Sequence, residues 1–291
     1  MTMHQSHVLC TDPDGLHRLS YVEWTATKDG AETGPERTLI CLHSLTGNGR
    51  LYDDLAQELA SAGYRVICPD LPGRGASDWL SRSRHYTFPQ YISDIVTLIA
   101  RLDVAQVDWV GTSMGGVIGM MLAGMTGTPI RRLILNDVGG RVPSKTLRRI
   151  ARYVGAYPSF GDLKDAEVYF RDIYRGIGPL SDDQWRRLAI VGTRPEEGGG
   201  LRLAYDPGIS KSLSRIIFRD VRLWKFWDSV TCPVLALRGG ESRVLPLDVV
   251  EEMQGRGPGC KLVEFPGIGH APSLMEQDQI AAIRDWLIAT A

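Results

Sequence analysis

Residues 111–115 carry the clearest chemical signature of the chain, because they read G-x-S-x-G with Ser113 at the centre. The apolar run 107–110 leads into this segment, and a helical spacing of apolar residues follows it. A strand, a tight turn and a helix in this order are the setting that exposes a nucleophilic serine. Gly111 and Gly115 let the two elements pass closely, and a helix N-terminus favours negative charge beside the hydroxyl. The segment therefore predicts a nucleophile at Ser113.

A serine hydroxyl is a poor nucleophile at neutral pH, so it requires a base, an acid that orients the base, and donors for an oxyanion. His270 is the candidate base, because the segment 266–272 (PGIGHAP) places it just past the last predicted strand, on the edge where α/β sheets build their sites. The backbone N–H groups of Met114 and Leu45 are the expected oxyanion donors. The remaining histidines are assigned other places: His43 to a structural hydrogen bond, His17 and His85 to the surface, and His4 and His7 to a frayed N-terminus.

Short β-like runs alternate with helical runs along the chain, an order that predicts a mostly parallel sheet with helices on both faces. Continuous apolar runs such as 38–43 (TLICLH) suit strands that are buried on both sides. The predicted strands are 16–23, 38–43, 64–69, 107–111, 132–136, 233–237 and 261–265. The predicted helices include 51–62, 276–289 and one that opens at Thr87, where Gln90 would complete a capping box.

The alternation of strand-like and helical runs stops after Gly140. From Arg141 to Asp228 the chain is rich in arginine and aromatic residues and contains helical stretches. We interpret the break as a mostly helical insertion, 141–228, in a core formed by 1–140 and 229–291. Insertions of this size in α/β enzymes often act as lids that exclude water and shape the substrate pocket. The alternative is an excursion that has no contact with substrate.

Four motifs in this chain resemble, in the same order, those of the α/β-hydrolase superfamily, in particular its single-domain members with a helical cap. Segment 43–48 (HSLTGN) resembles the family's H-G-x oxyanion loop, with Ser44 where glycine is usual, and 68–78 (CPDLPGRGASD) resembles its D-x-x-G-x-G-x-S segment. GTSMGG and PGIGHAP resemble its nucleophile turn and its histidine loop. The resemblance covers residues 16–140 and 230–290, and it implies an α/β-hydrolase fold that works without a cofactor. The chain also lacks metal-ligand spacings such as C-x-x-C, so no metal site is predicted.

The acid is the point at which the chain departs from this family. The family usually places an aspartate after the strand that follows the cap, a few residues beyond a glycine. The corresponding segment here is 237–244 (LRGGESRV), with Ser242 or Arg243 at that place. Three carboxylates remain open: Asp137 after the strand 132–136, a position that some family members use; Glu241 beside the usual position; and Asp248 in the next predicted helix. We favour Asp137, with Glu241 as the alternative.

The resemblance implies hydrolysis of a carboxylic ester through an acyl-enzyme on Ser113, with His270 passing the proton to the leaving alcohol. A serine nucleophile argues against the dehalogenase and epoxide-hydrolase branches, which the superfamily runs with aspartate. Three alternatives stay open: carbon–carbon bond hydrolysis of a dienone acid, thioester or lactone hydrolysis, and a non-hydrolytic small-molecule receptor with the same fold. The receptor remains an alternative because Arg243 stands in place of the usual acid.

The composition argues against several other classes of protein. A formal net charge of -1 gives no electrostatic footprint for nucleic acid or for an anionic membrane surface. No apolar run is long enough for a membrane-spanning helix, the polar N-terminus has no secretory signal, and the five scattered cysteines suit reduced thiols. The sequence thus predicts a cytoplasmic protein, monomer or homo-oligomer, whose partner is a small-molecule ester.

The predicted insertion combines aromatic residues with several arginines, which leaves two interpretations. Arginines beside a pocket would bind a carboxylate-bearing substrate such as a short hydroxyacid oligomer. Arginines on a solvated helix face would bind no substrate, and we favour this second interpretation. Under the first, Arg171→Ala is expected to raise KM for an acidic ester and not for a neutral one. The arginines concerned are Arg148, Arg149, Arg152, Arg171 and Arg175.

Overall fold

An eight-stranded sheet forms the centre of the molecule in a computed structural model, which describes residues 1–28, 31–32, 37–213 and 219–290. The strands are β1 (Thr2–Asp12), β2 (Gly15–Thr25), β3 (Arg37–Leu42), β4 (Tyr64–Pro69), β5 (Val107–Thr112), β6 (Ile130–Asn136), β7 (Val234–Gly239) and β8 (Lys261–Phe265). They lie in the order β1-β2-β4-β3-β5-β6-β7-β8. The pairs β1–β2 and β2–β4 are antiparallel, and the other pairs are parallel. The mostly parallel sheet predicted from the sequence is confirmed.

Helices cover both faces of this sheet. The helices of the described residues are α1 (Asp53–Ser61), α2 (Phe88–Leu102), α3 (Met114–Ala123), α4 (Ser144–Ala156), α5 (Leu163–Ile173), α6 (Asp182–Gly192), α7 (Ser210–Leu213), α8 (Trp224–Trp227), α9 (Leu247–Gln254) and α10 (Gln277–Ala289), and five of them cover the sheet. Helices α1 and α10 pack on one face, and α2, α3 and α9 pack on the other. In β3, Leu39 and Cys41 point to the first face and Ile40 and Leu42 to the second, which explains the continuous apolar run. None of these ten helices is long and apolar enough to cross a membrane.

The N-terminal segment differs from its prediction, because it forms strand β1 instead of a frayed end. Strand β1 pairs with β2 along its whole length, from Thr2 opposite Thr25 to Asp12 opposite Gly15. Its buried residues are Val8 and Cys10, near its C-terminal end. A strand at the sheet edge with so few buried side chains shows almost no alternation in sequence. The pairing with β2, which is a tertiary contact, therefore decides its structure.

His17 and His85 are both buried, so the prediction that they lie on the surface is wrong. The Nε2 atom of His17 lies 3.2 Å from the Asp94 carboxylate, and these two side chains are 3% and 1% exposed. The Nδ1 atom of His85 lies 3.6 Å from the carboxylates of Asp12 and Asp14. The β1–β2 hairpin packs on helix α2 and so encloses histidines whose local sequence is polar. Burial here comes from the packing of separate elements, which local hydropathy does not reveal.

The His17–Asp94 pair is expected to make the protein less stable as the pH rises. Burial opposes the charge on His17, but the hydrogen bond and charge of Asp94 outweigh it and raise the pKa of His17 above its usual 6.5. Burial also raises the pKa of Asp94. Both shifts make the folded state bind protons more tightly than the unfolded chain. The His17 contribution to stability is complete below about pH 6.5 and is lost as the pH rises through the raised pKa of His17. The Asp94 contribution is complete only below the ordinary pKa of 3.8 and is lost in a lower pH range than that of His17, as the pH rises through the raised pKa of Asp94.

The variant His17→Gln is expected to flatten this dependence and to lose roughly 1–3 kcal/mol of unfolding free energy at the acid end. Urea unfolding of wild type and variant between about pH 5.5 and about pH 9 measures the effect, since the ordinary histidine pKa lies in that range. An unchanged slope in His17→Gln would show that the pair is not responsible.

Helix α2 begins where the sequence predicts, but its capping box is only half formed. The hydroxyl of Thr87 accepts a hydrogen bond from the Gln90 N–H, as expected for an N-cap. The side chain of Gln90 does not turn back to Thr87. It donates to the Thr11 carbonyl and to Asp94, because β1 ends beside the first turn of the helix.

The segment between β6 and β7 contains helices α4 to α8 and contacts the core at several points. The Gly269 N–H donates to the Gly176 carbonyl at 2.6 Å, and the Asn48 side chain donates to the Val191 carbonyl at 2.7 Å. Residues 214–218 of the predicted insertion lie outside the described residues, and its boundaries stay a prediction. Its short strands are Arg141–Val142 paired with Val221–Arg222, and Ser159–Phe160, Leu201–Leu203 and Thr193–Pro195 in a three-stranded sheet. The segment also contains a 3-10 turn at Pro207–Ile209. Outside it, Thr27–Lys28 pairs with Ala31–Glu32, and Gly49–Tyr52 and Ser83–His85 form 3-10 turns.

Candidate active site

Ser113 lies on a sharp turn between β5 and α3, with backbone angles φ 51° and ψ −111°. The turn is held by a hydrogen bond of 3.0 Å from the Ser113 N–H to the Asn136 carbonyl. A Cβ on Gly111 would lie 2.4 Å from the backbone of Gly115, and a Cβ on Gly115 would lie 2.0 Å from the Leu42 carbonyl oxygen. Only glycine fits at these two positions. The close approach of the backbone at this turn therefore explains both the glycines of the motif and the strained backbone of the serine.

A line of hydrogen bonds joins Ser113, His270 and Asp137, which follow different strands. The Ser113 Oγ atom lies 3.1 Å from His270 Nε2, and His270 Nδ1 lies 2.7 Å from Asp137 Oδ2. Because an ionised carboxylate only accepts, Nδ1 carries the hydrogen and Nε2 is left to accept from the serine hydroxyl. The three residues meet because β5, β6 and β8 all end at the carboxyl edge of the sheet.

Asp137 is fully buried, and three donors satisfy its carboxylate. The Gly239 N–H donates to Oδ1 at 3.2 Å, and the Ser242 hydroxyl and His270 Nδ1–H donate to Oδ2 at 2.6 and 2.7 Å. A buried carboxylate without such partners would be strongly destabilising. Ser242, one of the two residues that the sequence places at the usual position of the family's acid, thus supports Asp137 with a hydrogen bond. This contact could not be predicted from the sequence, because a serine in the segment 237–244 only suggests a missing acid.

Glu241 and Asp248, the other two candidate acids, form no hydrogen bond with His270 in the part of the chain that the structure describes. Glu241 is exposed at the wall of the cavity described below. Asp248 lies in α9, where its exposed carboxylate pairs with Arg141 at 2.5 Å. Since both ring nitrogens of His270 already have partners, neither of these carboxylates is placed to orient it.

Leu45 and Met114, the expected oxyanion donors, both line the cavity beside Ser113. The carbonyl of Leu45 accepts a hydrogen bond of 2.9 Å from the buried guanidinium of Arg74, which also donates to the Tyr91 hydroxyl at 2.9 Å. Arg74 therefore fixes the loop that carries the Leu45 N–H. In the sequence, Arg74 stands within the segment 68–78 that resembles a family motif, and no local pattern indicates this positioning role.

His43 and Asp70 hold the same loop from two sides. The His43 Nδ1–H donates to the Ser44 carbonyl at 2.6 Å, and its Nε2 accepts from the Leu71 N–H at 3.0 Å. Burial lowers the pKa of His43 to about 3, so the ring stays neutral and serves the structural role predicted for it. The Asp70 carboxylate accepts from the Gly49 N–H at 2.6 Å, and burial raises the pKa of Asp70 to about 6.

Asn136 is a second positioning residue that the sequence analysis did not identify. Its side-chain amide donates to the Pro272 carbonyl at 2.9 Å and to the Thr112 hydroxyl at 3.1 Å. One side chain thereby ties the loop of His270 to the residue that precedes Ser113. Its amide is fully buried, so this link is protected from water.

The hydrogen-bonded residues open onto a cavity of about 2230 Å³, which lies between the sheet edge and the segment 141–228. Pockets for small ligands commonly measure roughly 300–1,000 Å³, so this cavity has room for an extended substrate. Aliphatic and aromatic side chains from both the core and the insertion form much of its wall. They include Val117, Val138, Leu147, Tyr153 and Tyr174.

The arginines named from the sequence divide into two groups. Four of them line the cavity, namely Arg148, Arg149, Arg152 and Arg175. Arg171 instead pairs with Glu167 at 2.6 Å and Asp182 at 2.7 Å, and its guanidinium lies over the Trp185 ring. The expectation for Arg171→Ala was therefore placed on the wrong residue, because this side chain belongs to the contact between α5 and α6.

Among the described residues, one group of side chains could hold a metal ion. The ligand atoms of Cys10, His17 and Asp94 lie within 4.8 Å of one another. The three residues come from β1, β2 and α2, so no ligand spacing in the sequence indicates them. The group is not part of the cavity wall at Ser113, and the His17–Asp94 ion pair accounts for two of its members. We assign it no part in the chemistry of Ser113.

The chain belongs to the α/β-hydrolase family, because a family model described as the alpha/beta hydrolase fold matches residues 37–276. It is 42% identical, over 94% of both chains, to the 3-hydroxybutyrate-oligomer hydrolase of Cupriavidus necator. It is 35% identical, over 93% of both chains, to the magnesium-chelatase 30 kDa subunit of Rhodobacter capsulatus. Among solved structures it is similar to an alpha/beta hydrolase from Novosphingobium aromaticivorans, with a TM-score of 0.84 and 32% identity over 98% of each chain. The family and fold predicted from the sequence are confirmed, and together with the first relative they indicate a hydrolase.

Proposed function

We propose that the protein hydrolyses carboxylic esters through an acyl-enzyme on Ser113. The line of hydrogen bonds from Ser113 through His270 to Asp137 carries this proposal, because it supplies a nucleophile, a base and an orienting acid in one arrangement. The strained turn, the buried carboxylate and the loops around them hold these groups in place before substrate binds, which lowers the entropic cost of reaction. Glu241, the alternative acid, has no role in this proposal.

In the first half of the reaction, the Ser113 Oγ attacks the ester carbonyl carbon while His270 Nε2 takes the hydroxyl proton. We assign the N–H groups of Leu45 and Met114 to the oxyanion that forms. The imidazolium, stabilised by the Asp137 carboxylate, gives its proton to the leaving oxygen, and the alcohol departs. In the second half, His270 takes a proton from water as the water oxygen attacks the acyl carbon, and the proton returns to Ser113 as the acid is released.

For the substrate we propose a short oligoester of 3-hydroxybutyrate or of a related hydroxyacid. The relative from Cupriavidus necator, which is named a 3-hydroxybutyrate-oligomer hydrolase, shares 42% identity with this chain over 94% of its length. The cavity volume of about 2230 Å³ and the aliphatic wall suit a flexible chain with methyl branches. We place this activity in the cytoplasm, where the five free thiols would remain reduced.

A non-hydrolytic role is the second candidate, and the relative from Rhodobacter capsulatus favours it. That protein is named a magnesium-chelatase subunit, and it shares 35% identity with this chain over 93% of its length. A non-hydrolytic protein has no need of a base aligned on the serine, so the 3.1 Å contact between Ser113 and His270 supports hydrolysis first. Thioester and carbon–carbon bond hydrolysis would use the same groups and differ only in substrate.

The test combines a substrate panel with detection of the intermediate. Linear 3-hydroxybutyrate dimers and trimers and p-nitrophenyl esters of increasing chain length are incubated with the protein, and released hydroxybutyrate or nitrophenol is measured. Mass spectrometry of protein quenched during turnover is expected to show an acyl group on the peptide that contains Ser113. A folded protein that releases no product and forms no adduct would contradict the proposal and favour the non-hydrolytic role. Turnover of a CoA thioester or a dienone acid alone would assign one of the other hydrolase reactions.

A further inference from the structure

Helix α4 places a row of basic side chains along the open side of the cavity. Arg148 and Arg149 are adjacent, and each lies three or four residues from Lys145 and from Arg152, so the four side chains share one broad helix face. All four are exposed and all four line the cavity, as do Arg84 and Arg243 from other elements. We call these six residues the cationic rim. Among the residues that the structure describes, eight basic and two acidic ones line the cavity, although the whole chain has a net charge of only -1.

Helix stability does not explain this row of like charges. Helix α4 reads SKTLRRIARYVGA and contains no acidic residue. Like charges at this spacing destabilise a helix, and cations in its first half oppose the helix dipole. Where a sequence departs from the local rules of stability without compensation, a functional reason is expected.

Other arginines of the same insertion are neutralised by nearby carboxylates. Arg171 and Arg202 each pair with a glutamate, at 2.6 and 2.5 Å. Arg149 and Arg152, by contrast, form no ion pair with any residue in the described ranges. Their charges are therefore available to a molecule that enters the cavity.

We propose, against the interpretation favoured from the sequence alone, that the cationic rim binds a free carboxylate at one end of the substrate, with Arg149 and Arg152, which line the cavity, as its main contacts. This inference rests on the proposed ester hydrolysis and narrows its substrate to linear oligoester acids with a free carboxyl end. Guanidinium groups bind carboxylates through paired hydrogen bonds, and an opening lined by one sign of charge attracts the opposite charge. The acid end stays at the rim while an ester bond further along the chain reaches Ser113 at the sheet edge.

The experiment compares a 3-hydroxybutyrate trimer with its methyl ester, which keeps the same internal ester bonds and carries no charge. The variant Arg149→Gln/Arg152→Gln is expected to raise KM for the free acid about tenfold with kcat little changed, as for the loss of charge-assisted hydrogen bonds. KM for the methyl ester is expected to stay within about twofold, because the neutral substrate lacks this contact. Raising the salt from about 0.01 to about 1 M shortens the Debye length from about 30 to about 3 Å and should also raise KM for the free acid alone.

Arg171→Gln is the matched control, because it removes an arginine of the same insertion that lies outside the cavity wall. Both replaced rim residues are exposed, so the variants are expected to fold, and thermal unfolding verifies this. Equal losses on the acid and the methyl ester, or a salt-independent KM for the acid, would overturn the proposal. A loss on a CoA thioester without one on the acid would overturn it too, since the rim would then bind phosphate. Wild-type turnover of the methyl ester distinguishes these outcomes from a failure of the proposed function, in which neither trimer is cleaved.

Discussion

Ser113→Ala is expected to lower kcat/KM for ester substrates by about 10⁴–10⁶-fold while the protein stays folded. In the proposed mechanism the Ser113 Oγ forms the bond to the acyl carbon, and no other hydroxyl contacts His270 Nε2 in the described structure. The backbone of the turn is held by glycines and by the bond to the Asn136 carbonyl, so alanine can occupy it without a new clash. Steady-state hydrolysis of a 3-hydroxybutyrate trimer and of a p-nitrophenyl ester measures the loss.

Ser83→Ala is a suitable control for this variant, since Ser83 lines the same cavity and has no contact with His270. Its rates are expected to stay within about twofold of wild type. Substantial turnover by Ser113→Ala, with an acyl group found on another residue, would remove Ser113 from the mechanism.

Asp137→Asn is expected to lower kcat by about 10⁴-fold with little change in KM. An asparagine can turn its amide hydrogens toward His270 Nδ1, which places the imidazole hydrogen on Nε2, where it can no longer accept from Ser113. The variant also lacks the negative charge that stabilises the imidazolium during proton transfer. The kcat of a neutral p-nitrophenyl ester isolates this effect from any influence of the cationic rim.

Glu241→Gln tests which of the two candidate acids, Asp137 or Glu241, orients His270. It replaces a carboxylate by an amide, as Asp137→Asn does, but at an exposed position. Its kcat is expected to lie within about twofold of wild type. The opposite outcome, a large loss in Glu241→Gln and a small one in Asp137→Asn, would make Glu241 the orienting acid.

A further variant adds Ser242→Asp to Asp137→Asn. Because the Ser242 Oγ lies only 2.6 Å from Asp137 Oδ2, a carboxylate at residue 242 is expected to restore part of the rate.

The turn that carries Ser113 could be predicted from the sequence because all of its constraints are local. Gly111 and Gly115 lie two residues from the serine, and each is required by a backbone that passes within 2.4 Å of its absent Cβ. The parallel sheet could be predicted for a similar reason. A strand that is covered on both faces, such as Arg37–Leu42, must be apolar at successive positions, and this pattern is visible in a single run of residues.

The structure of the N-terminal hairpin could not be predicted from local sequence patterns. The residues of β1 are mostly polar, and neither their alternation nor their composition indicates a strand. His17 lies in a polar stretch, yet it is buried because its hairpin packs on α2 and meets Asp94 there. Pairing and packing between separate elements decide both features, so no local window of the sequence contains them.

The sequence by itself determined the family, the mostly parallel sheet and the turn that holds Ser113. These features depend on short-range sterics and on local hydropathy, which can be recognised in neighbouring residues. Only the tertiary structure decided which carboxylate meets His270. Asp137 reaches it because β6 and β8 flank β7 and all three end at one edge of the sheet. The tertiary structure also decided that Arg149 faces the cavity while Arg171 pairs with Glu167. Both outcomes depend on distances between elements far apart in the chain, and these distances have no local signature in the sequence.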